Sequence, residues 1–534
     1  MKVATVDRRV IAAAGAVVAL AIGGAVVNVD AGTPAAAPRP TATARARASR
    51  RHVAPTPNAP RPTNSTPPPT TRGSALASTA MVLVTTADRS QVLNLEPPVP
   101  ITADGTGTAA GPGTGPRASI AVDATVRDQP VDGVGAALTE STVQLLDTRL
   151  SPSSRQALLE DLFGPGGAHL GELRLPLSAT DFAGTEYTYD DLAPGGVDPA
   201  LAHFSIAHDE AALIPMLRQV LAVNPHVRIV ASEWSAPGWM KSGNRASNDG
   251  LIHGQLRAGN EALLGRYLAR VTEAYARDGI SFDAITVQNE PTYSPADYPS
   301  MLLSAAQEAK VAASAARALA RAGLHTKVLV HDDNWDTSGR AASILADPAT
   351  GSLVAGTAFH CYRGDPSAQT VVHDAYPSKD IYLTECTGTF DHNGFGSNFL
   401  RDTDTLMIGA TRNWARTVLL WNLALDEQGR PHLGGCFACR GVVTIDSVNG
   451  EITRNEEYYA LAQFARGVQA SAVRIDSTEQ SAGVRSVAFL NPDGTRAVLL
   501  SNDTTTDVAT TVHDGARSFT YLVPARAVAT ITWS

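Results

Sequence analysis

The sequence predicts an α/β protein: a (β/α)8 barrel of the TIM type with a side β-sandwich built from both ends of the chain. Three observations lead there. Between residues 127 and 467, eight apolar strand-like runs alternate with amphipathic helical segments. Hydrophobic strands in repeated β-then-α units close most simply as a parallel barrel. From residue 468 to 534 the pattern changes to short strands, with a hairpin signal at Asn491-Pro492-Asp493-Gly494. Strand-like runs near 81–95 and 119–126 precede the barrel and have no partners of their own, so they are expected to join the sandwich.

In chain order, Lys2, Arg8 and Arg9 lead into the charge-free run Val10 to Val27. As a helix it is about 27 Å long at about 1.5 Å per residue. Residues 1–31 therefore read as a signal peptide or a signal anchor. Val29-Asp30-Ala31 is a poor cleavage site because of Asp30, yet export with release is the favoured reading, and residues 10–27 are the only candidate membrane tether. Residues 32–75 are rich in Pro, Thr, Ala and Arg, with Pro67-Pro68-Pro69 near the end. They have nothing to bury in a core and read as a disordered linker. Residues 76–126 supply the N-terminal sandwich strands: one or two in Met81–Leu95, then a Gly/Thr-rich loop at 103–115, then Ser119–Val126.

The barrel strands are expected at Val134–Thr139, Gly171–Pro176, Val227–Trp234, Asp283–Glu290, Lys327–Asp332, Gly356–Tyr362, Asp380–Cys386 and Thr417–Leu425. Helical segments lie at Ser151–Phe163, Asp209–Val223, Glu261–Asp278, Pro299–Ala322, Asn398–Trp414 and Asn455–Gly467. Ser151 and Ser153 are candidate caps, and Gly323 and Gly467 candidate stops.

A hydrophobic content of 44% and a charged content of 18% leave ample core. The net charge of −9 is spread along the chain without a basic patch, which excludes nucleic acid as the expected partner. Four cysteines are too few to be the main support, but an even count in an exported protein suggests two disulfides. Cys436-Phe-Ala-Cys439 has the spacing of half a zinc site, yet no second ligand pair follows it. A short disulfide is expected there, and no metal.

The chemistry starts from the fourth strand, DAITVQNEPT, whose apolar run stops at Asn289-Glu290-Pro291. A carboxylate at the end of a buried strand is costly unless its position is useful. The seventh strand also ends in a carboxylate, Glu385. Two Glu at the C-terminal ends of strands four and seven face each other across a barrel mouth. At about 5–5.5 Å apart such a pair is the equipment of a retaining glycosidase, one acid/base and one nucleophile. That chemistry needs no metal or other cofactor.

Arg174, ending strand two, is the donor to hold one Glu ionised, and His360 and Tyr362 can orient Glu385. Asn289 can bond a sugar hydroxyl. Trp234 with Trp239, Trp421 with Asn422, and Asp181 with Phe182 share the catalytic rim, where a sugar ring would stack. Glu140 and Asp332 also close strands, and Asp332 with Asp333 either binds substrate or braces the rim. Glu233 alternates with Trp234 and points outward. By the same alternation, Cys361 and Cys386 lie side by side on neighbouring strands and can be bridged.

These residues resemble glycoside hydrolase family 30, the glucosylceramidase-like enzymes. The resemblance runs through VDGVGAALTEST (131–142), LRLPLSATDF (173–182), SEWSAPGWMK (232–241), TVQNEP (286–291), VLVHDD (328–333), AFHCY (358–362), LTEC (383–386) and LLWNLALDEQGRPHLGG (419–435). It implies a retaining β-glycosidase with Glu290 at the acid/base position and Glu385 at the nucleophile position. It also places Asp181, Trp234, Asn289, His360, Tyr362 and Trp421 around the −1 sugar. The expected substrate is a carbohydrate or glycolipid. The barrel motifs favour glucosylceramide, with β-1,6-glucan or β-xyloside hydrolysis as the alternatives. A catalytically inert sugar binder would have no need of Glu290, Glu385, Asn289 and Arg174 together. An aldolase or metal hydrolase would need a strand-end Lys or a His/Asp ligand set, which these strand ends lack.

Overall fold

The computed structural model describes residues 78–103, 115–243, 250–390 and 393–534. The expected signal or anchor segment and the linker lie outside the described residues, as does most of the 103–115 loop. Among the described residues no helix is long and apolar enough to cross a membrane.

Eight parallel strands close into a barrel: Gly133–Ala137, Glu172–Leu177, Arg228–Glu233, Ala284–Thr286, Lys327–Asn334, Gly356–His360, Asp380–Glu385 and Ala415–Leu420. The last pairs with the first, Thr417 against Gly133. Val230, Ala284, Leu329, Ala358, Tyr382 and Leu419 form a buried cluster separate from the larger core. Alternation along the strands turns these side chains inward, so they plug the barrel. Their neighbours pack outward beneath the helices.

Two expected strands end well short of their expected limits. The fourth stops at Thr286 instead of Glu290, and the eighth at Leu420 instead of Leu425. Beyond Thr286 the chain leaves the ladder but keeps its bonds to neighbours. Asn289 N donates to the Glu233 carbonyl at 2.6 Å, and Glu290 N to the Asp332 carbonyl at 2.9 Å. Ala424–Leu425 joins a small sheet with Val443–Ile445 and Ile452–Arg454.

The helices follow their caps. Ser151 accepts a bond from Ser154 N and starts Pro152–Phe163. Ser304 and Gln307 form a capping box, so that helix is Ala305–Arg321 and does not begin at Pro299. Gly323, at a φ of 73°, ends it. The segment expected at Asp209–Val223 is broken at Ala212 into two helices. The one expected at Asn398–Trp414 begins at Gly394 and continues as a π-helix over Asp402–Ala410.

The sandwich draws on both chain ends. Thr79–Thr86 lies between Asn94–Pro100 and the final strand Ala527–Trp533. Arg117–Pro130 lies between Val473–Ser477 and Val508–Asp514. The hairpin around Asn491–Gly494 joins Val484–Leu490 to Arg496–Asn502. The last barrel helix, Glu456–Ala465, fastens sandwich to barrel. On it the Gln463 amide meets the hydroxyls of Thr85 and Thr530, at 2.8 and 2.7 Å. Arg412 reaches the other sheet edge, bonding the carbonyls of Ser477 at 3.0 Å and Ser486 at 2.5 Å.

Strand packing leaves no room in the first barrel strand. A Cβ at Gly135 would lie 1.8 Å from the Glu172 carbonyl oxygen, whereas at Gly171 nothing lies within 4 Å. Gly135→Ala should therefore cost about 1–3 kcal/mol or more by overpacking. Gly171→Ala should stay within about 0.5 kcal/mol. Urea denaturation of both variants checks this, and equal stabilities would contradict the close approach.

Candidate active site

The C-terminal ends of the barrel strands converge on Arg174. Its side chain, from strand two, has no exposed surface. The guanidinium donates to the Glu385 carboxylate, to Asn289 Oδ1 at 2.8 Å, to Asp332 Oδ2 at 2.9 Å and to Ser232 Oγ at 3.2 Å. It also packs 4.7 Å from the Trp234 ring centre and 5.5 Å from that of Trp421, a cation–π arrangement. The two indoles are stacked at 5.1 Å.

Asp332 is the second hub. Besides Arg174, it accepts from Ser232 at 2.7 Å, Thr286 at 2.7 Å, Thr384 at 2.6 Å and His360 Nε2 at 3.2 Å. Burial works against its charge, but Arg174 and His360 outweigh burial and hold it below the usual carboxylate range. Burial equally opposes a charged His360. Its neighbours Glu385, Asp332 and Glu290 prevail and push the imidazole up to about 10.

Glu290 and Glu385 meet above these hubs. One oxygen of each, with a ring nitrogen of His360, lies within 4.8 Å of the others. Their surroundings differ. Glu385 has the Arg174 ion pair, and the Tyr362 hydroxyl donates to it at 2.7 Å. Among the described residues the Glu290 carboxylate has only the His360 Nδ1 contact at 3.3 Å, and burial raises its carboxyl above the usual range, with Glu385 adding to the rise. The Asp181 carboxyl is raised further, by burial and then by Glu385 and Glu290.

The sequence-derived residues therefore fall into two layers. Arg174 and His360 are fully buried and hold the carboxylates from below. His360, expected to orient Glu385, lies closer to Glu290, at 3.3 against 3.9 Å. Asp181, Trp234, Asn289, Tyr362 and Trp421 line the mouth. Trp239 serves the wall, its indole donating to the Asp190 carbonyl at 3.0 Å. Glu233 turns away from the mouth to Ser178 at 2.9 Å, and burial pushes its carboxyl up to about 8. Glu140 closes no strand: it opens a helix after the Thr139 cap and bonds His208.

Both disulfides form, Cys361–Cys386 with a Cα separation of 5.2 Å and Cys436–Cys439 with 5.4 Å. The first ties together the residues that follow His360 and Glu385. The second packs against the cluster of Phe182, Trp234, Trp421 and Tyr298. Tyr298 was not foreseen; it follows a polar loop with no periodic signal. Nor was the backbone at the strand ends. Ser178, Glu290, Asp332 and Asn422 have φ of 69°, 42°, 44° and 41°, a region non-glycine residues seldom occupy and which clusters at functional sites.

Two groups of described residues bring three metal-ligand atoms within 4.8 Å: Glu290, His360 and Glu385, and Asp190, Asp198 and His203. In the first, a protonated His360 has no lone pair to give and its positive charge already stands where a cation would.

A sequence model for the glycosyl hydrolase family 30 TIM-barrel domain matches residues 131–468, and one for the family 30 beta sandwich domain matches 471–531. The chain is 35% identical to the endo-1,6-beta-D-glucanase neg1 of Aspergillus fumigatus over 428 residues, 76% of this chain and 85% of that protein. It is 27% identical to the lysosomal acid glucosylceramidase of Mus musculus over 430 residues, 76% and 81% of the two chains. Among solved structures, the endo-beta1,6-glucanase BT3312 superposes with a TM-score of 0.77 at 28% identity, covering 85% of this chain and 99% of that one.

His360 makes stability depend on pH. Its folded value, about 10, stands above the ordinary 6.5, so its contribution is complete below about pH 6.5 and lost as pH rises through about 10. His360→Gln should therefore lower the melting temperature most near pH 6, with the gap to the parent closing toward pH 10. A gap that is constant across this range would contradict a charged imidazole.

Proposed function

The chain belongs to glycosyl hydrolase family 30, and from that premise we propose a secreted, retaining endo-β-1,6-glucanase with Glu290 as acid/base and Glu385 as nucleophile. The observation that carries the mechanism is the closeness of the two carboxylates, each with an oxygen within 4.8 Å of the other. Inverting enzymes hold theirs about 6.5–9.5 Å apart to admit a water, and retaining enzymes about 5–5.5 Å. The unequal surroundings assign the roles. Arg174 pairs with the Glu385 carboxylate and the Tyr362 hydroxyl donates to it, the setting a nucleophile requires. Burial raises the Glu290 carboxyl, the direction an acid requires.

In the first step Glu385 attacks the anomeric carbon as Glu290 gives its proton to the departing glycosidic oxygen, leaving a glycosyl ester on Glu385. In the second, Glu290 takes a proton from water, the hydroxide attacks the same carbon, and Glu385 leaves as carboxylate. Arg174 and Tyr362 hold the Glu385 oxygens through both steps. Asp181, its carboxyl raised by burial and by Glu385 and Glu290, is biased toward the protonated form, which can donate to a sugar hydroxyl. Asn289 presents its amide nitrogen to the sugar, because its Oδ1 is taken by Arg174. The Trp234–Trp421 stack walls the pocket.

For the substrate, the barrel motifs alone favour glucosylceramide. The stronger identity to an endo-1,6-β-glucanase, 35% against 27% to a glucosylceramidase, moves the reading to β-1,6-glucan. The charge-free run after Lys2, Arg8 and Arg9 supports export to meet such a polymer.

Four variants and one panel test this. Glu385→Ala should lose activity on an aryl β-glucoside and regain it with azide, yielding the α-glucosyl azide; absence of rescue removes Glu385 from the nucleophile role. Glu290→Gln should slow poor leaving groups far more than activated ones, within the roughly 10²–10⁴-fold span of general acid catalysis. Equal loss across leaving groups removes it from the acid role. Asp181→Asn, neutral like the protonated acid, should keep more activity than Asp181→Ala. On a panel of β-1,6-glucan, glucosylceramide and xylan, kcat/KM should be highest on the glucan, with oligosaccharides released; preference for glucosylceramide overturns the substrate assignment and leaves the mechanism standing.

A further inference from the structure

The loop following the second barrel strand carries a second cluster of charged side chains that the glycosidase chemistry does not use. Asp190 in it is 1% exposed, and among the described residues neither of its carboxylate oxygens has a hydrogen-bond partner. The Trp239 indole beside it donates to the Asp190 backbone carbonyl at 3.0 Å. A buried carboxylate without donors is among the costliest arrangements in a protein. Asp190 also faces another carboxylate, the buried Asp198.

His203 completes the cluster. Its Nδ1 lies 3.0 Å from Asp198 Oδ2, and its backbone N–H donates to the same oxygen at 2.7 Å. That turn aims the imidazole at the carboxylates. One ligand atom from each of Asp190, Asp198 and His203 lies within 4.8 Å of the other two. The His203 side chain is 69% exposed, so one side is open to solvent and water can fill remaining coordination positions. The pieces are two oxygen ligands, one nitrogen ligand and an open face.

We propose that Asp190, Asp198 and His203 bind one divalent transition-metal cation, of the Zn²⁺ class, outside the catalytic centre. The imidazole argues for such an ion over Ca²⁺ or Mg²⁺, which take oxygen ligands. A cation here supplies the partner that Asp190 lacks and cancels the repulsion with Asp198. Its effect is on the loop. Thr185, Glu186, Asp191 and Leu192, together with Trp239 and Leu433, line a cavity of about 470 Å³, and Leu433 N in turn bonds the Asp181 carbonyl at 2.6 Å. Closing the loop onto a metal therefore fixes one wall beside the sugar pocket.

The test uses the full chain, stripped with chelator and titrated with ZnCl₂ in calorimetry and thermal denaturation, with CaCl₂ in parallel. One Zn²⁺ per chain is expected, with a higher melting temperature, and little response to Ca²⁺. Both signals should vanish in His203→Ala, an exposed position that does not threaten folding. In Asp190→Asn the Zn²⁺ response should vanish while the metal-free melting temperature rises, because an uncompensated buried charge is gone. Glu385→Gln should keep the Zn²⁺ response, which separates this site from the carboxylate pair and from the glycosidase reading. Failure of stripped protein to take up Zn²⁺ overturns the proposal, as does uptake that survives His203→Ala or Asp190→Asn, or that disappears in Glu385→Gln.

Discussion

The Arg174 guanidinium lies wholly inside the protein, between Asp332 and Glu385 and beneath two stacked indoles. Placing a cation there is costly, and mutual attraction offsets the cost only if the remaining hydrogen-bonding capacity is filled. Asp332 does much of that filling, with three hydroxyls and His360 completing its own shell. The network spans strands two, three, four, five, six and seven, so the strand order of a closed barrel is what brings its parts together. Elsewhere in the sheet the same residues would be isolated charges.

From this network follows the unequal treatment of two chemically identical side chains. Glu385 faces a permanent cation and a phenol donor. Glu290 faces a histidine whose charge is shared among three carboxylates, inside a site dry enough for burial to raise its carboxyl. In the proposed mechanism environment, not residue type, separates acid from nucleophile. The left-handed backbone at Glu290 and Asp332 belongs to the same design. It turns each side chain off the strand axis at a cost of roughly 1–3 kcal/mol apiece, which the rigid barrel below can absorb.

Much of this was legible in the chain. Strand period and helix caps marked all eight barrel strands, and two apolar runs ending in Glu marked the pair. The limits were equally physical. Proline after Glu290 pointed to the end of a strand, but only hydrogen-bond geometry shows that the ladder stops at Thr286 and that Asn289 and Glu290 hang on neighbouring carbonyls. Asp332 could be ranked as a brace or a ligand, but its role depends on Ser232, Thr286 and Thr384, far away in sequence. Glu140 resembled a strand-end acid because Thr139 before it reads equally as strand or helix cap. The Asp190 cluster had no motif at all, being made by the folding of one irregular loop. Substrate preference was the least legible: it sits in loops, and the shared barrel motifs do not separate glucan from glycolipid.

In the proposed mechanism Glu290 and Glu385 act by double displacement on a β-glucosidic bond. The most direct measurement is the anomeric configuration of the first-formed product, followed by proton NMR during hydrolysis of β-1,6-glucan before mutarotation sets in. The β-anomer should appear first, with the α-anomer growing in later. First appearance of the α-anomer would mean a single displacement by water and would contradict the paired-carboxylate mechanism.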